Sequence, residues 1–117
     1  MFDFFKKKKE PYLCHNDYPI VGITFNNDDG TSRQAIIKKL KDNDLLTIEA
    51  YKYKNEDAIM VKTIEGEQIG NIKKEHVPYV LDRMKTLEKC SIFDIHSFVA
   101  DDGSEIYIAK IIIFYWN

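Results

Sequence analysis

The closing run Glu105–Trp116 is apolar at Ile106 and Ile108 and again at Ile111, Ile112 and Ile113, so both parities of an extended strand are filled with β-branched residues. Such a strand is expected to be covered on both faces, which requires a sheet of several strands and a layer against it. It is preceded by a second β-type run, Cys90 to Ala100, through the hairpin loop Asp101-Asp102-Gly103-Ser104. Four shorter runs come earlier. Pro19 to Phe25 is β-branched and ends in the turn composition Asn26-Asn27-Asp28-Asp29-Gly30. Leu45 to Tyr53 alternates, with Leu46, Ile48 and Ala50 opposed to Thr47, Glu49, Tyr51 and Tyr53. Ala58 to Thr63 and Gln68 to Ile72 flank Glu65-Gly66 as a compact hairpin, and Gly70 inside the second marks a bulge or a close backbone approach.

Two helices interrupt these runs. Thr31 and Gln34 have capping-box spacing, which predicts a short helix to about Leu40 with Ile36, Ile37 and Leu40 on one side and Lys38, Lys39 and Lys41 on the other. Val77, Val80, Leu81, Met84 and Leu87 recur at helical spacing and predict a second helix to about Lys89, with Pro78 in its first turn. Six strands and two helices without a βαβ rhythm give a mostly β (α+β) class: a small closed or partly closed barrel with helices at its rim. Residues 1–17 show no sustained period and contain the run Lys6 to Lys9, so they read as a flexible arm before a domain of residues 18–117.

Composition bounds the function. A chain of 117 residues, 44% hydrophobic and 31% charged, is one ordinary globular domain. Its net charge of -2 advertises no global affinity for nucleic acid, although lysines cluster at Lys38, Lys39 and Lys41, at Lys52 and Lys54, and at Lys73 and Lys74. Phe2, Phe4 and Phe5 precede the lysine run, the reverse of signal-peptide order. With Cys14 and Cys90 outside any paired motif, the expected setting is reducing and cytoplasmic. The arm's Phe/Lys composition could touch an anionic membrane, but a solvated tail is the favoured reading.

No catalytic or metal set assembles. His15, His76 and His96 lie in three unrelated segments, Cys90 reads as a small buried hydrophobe, and the five glycines form no phosphate-cradling motif. The expectation is therefore a binding module without enzymatic activity or cofactor. What stands out is aromatics interleaved with lysines at strand ends: Phe25, Tyr51-Lys52-Tyr53-Lys54, Lys73-Lys74 and Tyr115-Trp116. On a small barrel, rings stack bases and lysines hold phosphates, while the competing reading is rim packing and a solvated face.

Four segments in order, Ile20-Val21-Gly22-Ile23-Thr24-Phe25, Asn55 to Val61, Gly66 to Glu75 and Phe114-Tyr115-Trp116, together resemble the HIRAN domain. The resemblance covers about Tyr18 to Trp116 and implies an OB-like barrel that holds the 3′-hydroxyl end of single-stranded DNA. It implies that Phe25 stacks a base, that Lys74 contacts DNA, and that Asn71 and Tyr115 occupy a polar and an aromatic site position, with Lys54 as a further phosphate contact, Asn55 as a further polar contact and Lys73 as another nucleic-acid-binding candidate. Tyr53 is the candidate for a second stacking ring. Where the family often reads N-P-Y-D-x-N-A-I, this chain has Lys52-Tyr53-Lys54-Asn55-Glu56-Asp57-Ala58-Ile59, so Lys54 replaces a tyrosine and Asn55 an aspartate. The expected ligand is single-stranded DNA in repair or replication, with a helicase or nuclease as the class of protein partner. The alternative is a protein-interaction or self-assembly module that keeps the barrel and has lost the groove.

Overall fold

The computed structural model describes residues 11–117. Six strands close into an antiparallel barrel in the order β1-β4-β3-β2-β5-β6. They are β1 (Leu13–Val21), β2 (Leu45–Tyr53), β3 (Glu56–Thr63), β4 (Gln68–Ile72), β5 (Leu87–Val99) and β6 (Glu105–Trp116). Helix α1 (Arg33–Lys38) follows β1, and a 3-10 turn (Lys74–His76) leads into α2 (Val77–Met84). The expected mostly β barrel with two helices is the fold observed. Its core combines Ile59, Val61 and Ile69 with Ile92, Ile111 and Ile113, closed at one side by Ile37 of α1 and at another by Val77 and Val80 of α2.

Several boundaries move, each for a tertiary reason. The first strand starts at Leu13, not near Tyr18, and residues 13–17 of the expected arm pair with β6 from Leu13↔Trp116 to Asp17↔Ile112. The polar Asn16-Asp17 disguised a strand whose edge is needed to close the barrel. Residues 1–10 of that arm lie outside the described residues. The strand also ends early, at Val21, because Gly22 takes a φ of +69° and turns the chain, leaving Phe25 in a loop. The helix cap is Ser32, whose Oγ accepts from the Ala35 N–H at 3.1 Å, and not Thr31. Thr31 is instead held by Asp29, which accepts from its N–H at 2.9 Å and its hydroxyl at 2.7 Å.

Gln34, expected to complete the cap, reaches across to β6. Its side-chain amide donates to the Tyr107 carbonyl at 2.9 Å and to the Ile23 carbonyl at 3.1 Å, and its Oε1 accepts from the Tyr107 N–H at 2.7 Å. One side chain thus ties helix, sheet and the turn that carries Phe25. Helix α2 stops at Met84 because Leu87 is claimed by β5, opposite Tyr115. Gly70 makes the close approach expected of it: a Cβ there would sit 2.2 Å from Ile20 Cγ2 and 2.7 Å from the Val21 carbonyl oxygen. The β3–β4 register shifts beside it, between Val61 and Lys62.

The last strand is covered on one face only by the described residues. Ala109, Ile111 and Ile113 are buried, whereas Ile106, Ile108 and Ile112 point outward and stay half-exposed. The expectation of two covered faces is corrected, because an antiparallel barrel offers its outer surface to solvent unless another element lies on it.

Candidate nucleic-acid interface

Outside the barrel, the β2–β3 hairpin extends past the end of β4 and faces the turn that follows β1. Between them lies a cleft of about 750 Å³. Its floor is the outer face of β2, β3 and β4, where strand alternation and pairing set Tyr51 beside Ala58 and Met60 beside Asn71. One wall carries Phe25, the other Tyr53, and both rings are largely exposed, at 65% and 58%.

The Phe25 wall is built by Gly22 and Arg33. The Arg33 guanidinium donates to the Gly22 carbonyl at 2.9 Å and, through Nε, to Asn27 Oδ1 at 2.8 Å. A Cβ on Gly22 would stand 3.2 Å from Arg33 Nη1 and 3.6 Å from Phe25 Cδ2, so the glycine supplies both the positive φ and the room. Charge-assisted bonds of this kind are among the stronger ones available to a loop. The opposite wall is the two-residue turn Lys54-Asn55, with Tyr53 paired to Glu56 across it. Positive φ values of 50° and 67° identify a hairpin turn of the kind in which both central residues are left-handed. Lys54 Nζ lies 5.3 Å from the centroid of the Tyr53 ring.

Of the residues singled out from sequence, the fold brings Phe25, Tyr53, Lys54, Asn71 and Lys74 to this cleft. Asn55 lies on the far side of the hairpin tip, in a shallower depression with Pro78 and Leu81 of α2. Lys73 lies outside the cleft lining and pairs with Glu75 at 3.3 Å. Tyr115 points to the opposite end of the barrel, where the Arg83 guanidinium sits 5.2 Å from its ring centroid. Cleft residues that sequence reasoning did not assign include Arg33, Gln68, Met60 and Asp57, together with Tyr51, which lies in the aromatic and lysine run already noted. Arg33 had no local signal, since its role comes from a loop folded back onto a helix start.

Asn71 acts as a brace. Its Nδ2 donates to Tyr51 Oη at 2.7 Å and to the Ile59 carbonyl at 3.3 Å, and its Oδ1 accepts from Gln68 Nε2 at 3.1 Å. With its oxygen accepting from Asn71, Tyr51 keeps its own O–H proton to donate into the cleft. Charges in the cleft lining balance: Arg33, Lys54 and Lys74 against Asp28, Glu56 and Asp57. Lys74 pairs with Glu56 at 2.7 Å and Lys52 with Asp57 at 2.6 Å, but these side chains are more than half exposed. Exposed pairs contribute about 0–1 kcal/mol, so an arriving phosphate can take the lysine from its carboxylate.

Burial pushes the Cys90 thiol up to about 12, far from the thiolate a nucleophile needs. Cys14 and Cys90 are both free thiols. Among the described residues no three His, Cys, Asp or Glu side chains cluster as metal ligands, and no helix is long and apolar enough to cross a membrane.

Among solved structures, the crystal structure of the HIRAN domain of human HLTF superposes with a TM-score of 0.51 at 17% identity, over 90% of this chain and 79% of that one. The barrel has a HIRAN-like fold. No family model matches the chain, and no curated protein matches it. The HIRAN-like fold therefore rests on the superposition of the barrel as a whole.

Proposed function

We propose that this HIRAN-like module binds single-stranded DNA in the cleft between the Gly22–Phe25 turn and the β2–β3 hairpin, as a non-catalytic module in DNA repair or replication. The observation that carries the reading is the pair of exposed rings, Phe25 and Tyr53, on facing walls of one cleft whose rim holds Arg33, Lys54 and Lys74. A nucleobase offers a flat face to each of these two exposed rings, and base–aromatic stacking tolerates any base. Lys54 and Lys74 are placed for phosphates, and the Tyr51 hydroxyl for a base edge or sugar. A helicase or nuclease working on the same strand is the class of protein partner this reading implies.

Binding of the 3′-hydroxyl end is the narrower form of the proposal. Asn55, which stands where the family often has aspartate, lies outside the cleft, whereas Asp57 lines it. Asp57 is the acceptor in reach, and its exposed pairing with Lys52 weakens its call on a terminal hydroxyl. Strands with free and blocked 3′ ends are therefore expected to bind with similar affinity. Fluorescence anisotropy with short labelled oligonucleotides of both kinds tests this, and absence of binding to either at low salt would refute the DNA reading. At most three cleft cations face phosphates, so log K is expected to fall with log salt at a slope of about −2.

A further inference from the structure

The tip of the β2–β3 hairpin stands as a fin between the cleft and a second depression. Lys52 and Asp57 are cross-strand partners, and alternation puts them on the face of the hairpin opposite Tyr51 and Tyr53. With Asn55 of the turn and Pro78 and Leu81 of α2, they line a space of about 430 Å³. The two spaces communicate. Pairing of β3 with β4 starts at Met60, so Glu56 to Ala58 form an edge that no β4 residue covers. Glu56, Asp57, Lys74 and Val77 line the depressions on both sides of it. At the passage the Lys74 ammonium meets the Glu56 carboxylate at 2.7 Å, and both side chains are more than half exposed.

We propose that the second depression receives the continuation of the bound strand, the nucleotide beyond those held between Phe25 and Tyr53. This rests on the single-strand reading of the cleft. Continuity selects the occupant, because a strand lying in the cleft reaches the second space over the open β3 edge without displacing any backbone pairing. Chemistry agrees with it. The phosphate linking the two subsites passes Lys74, whose bond to an exposed carboxylate is weak enough to exchange for one to a phosphate. Beyond it, Lys52 is placed for the next phosphate and the Asn55 amide for a base edge, while Pro78 and Leu81 give a base or sugar an apolar surface. Lys52 is itself held only by an exposed pair with Asp57 at 2.6 Å. The hairpin tip thereby contacts the strand from both faces, with Tyr53 and Lys54 on one and Lys52 and Asn55 on the other.

Titration of the full chain with oligothymidylates of two to six nucleotides at low salt tests the proposal. Affinity is expected to rise at least about tenfold from two to four nucleotides, and the salt slope to steepen by about 0.7 for the added phosphate contact. The double variant Lys52→Ala with Asn55→Gly should cut that gain to about threefold or less, what extra binding registers alone supply, and leave dinucleotide affinity and the thermal melt unchanged. Glycine keeps the left-handed φ of 67° that the turn needs, and Lys52 is largely exposed. The Leu81 methyl resonances should shift with the longer strands and stay in place with the dinucleotide. If short strands bind and longer ones bind no better, or the double variant keeps the full gain with Leu81 unmoved, the second subsite is refuted and the cleft reading stands. Absence of binding at every length overturns both.

Discussion

Replacing Phe25 with alanine separates a binding role from a packing role. The ring is 65% exposed and sits in a turn whose shape is held by Arg33 through Gly22 and Asn27, with no contribution from the ring itself. Folding stability should therefore change by no more than about 0.5 kcal/mol, the usual range for a surface substitution. Stacking of one base on one aromatic contributes ~1–3 kcal/mol, so Phe25→Ala should weaken single-strand binding by roughly 5- to 150-fold. Tyr53→Ala should fall in the same range, since Tyr53 is 58% exposed on the facing wall. If each ring holds its own base, the two losses should add in the double variant. Anisotropy titrations at fixed low salt, with melts run in parallel, measure both sides. Wild-type affinity in Phe25→Ala with an unchanged melt would refute the stacking role, and a melt lowered by several degrees would show the ring to be structural.

Lys54 should show a trade between stability and binding, because its φ of 50° is a left-handed value that asparagine tolerates better than lysine. Lys54→Asn is expected to raise stability by ~0.5 kcal/mol in urea titrations while making the salt slope of oligonucleotide binding shallower by about 0.7. Gly70→Ala must push against Ile20 and the Val21 carbonyl, at 2.2 Å and 2.7 Å from the new carbon. A loss of about 3 kcal/mol, read as a melt lowered by roughly 10 °C, is expected, and an unchanged melt would contradict the close crossing of β1 and β4. Cys90 supplies a pH test. Its folded value of about 12 lies above the ordinary 9.0, so its contribution is complete below pH 9 and is lost as pH rises toward 12. The full loss is ~4 kcal/mol, and Cys90→Ala should flatten the alkaline stability profile relative to wild type.

The sequence by itself determined the class and most of the strands. Alternation in Leu45–Tyr53, the hairpin loops at Glu65-Gly66 and Asp101 to Ser104, and the β-branched run at the end are local signals, because strand and turn chemistry is written in neighbouring residues. Gly70 was legible for the same reason. The site was legible in part: Phe25, Tyr53, Lys54, Asn71 and Lys74 were named from sequence and share one cleft. Tertiary structure decided the rest. Only barrel closure recruits Leu13 to Asp17 against β6, and only loop packing turns Arg33 into the support of Phe25. Gln34 and Thr31 have capping-box spacing, yet β6 and Asp29 compete for them and win. The final strand carries the same lesson. Its residues show that both faces are apolar, but which face packs inside depends on the register of β1, β5 and β6. That register buries Ile111 and Ile113 and leaves Ile108 and Ile112 facing outward, where the chain's own described elements do not reach.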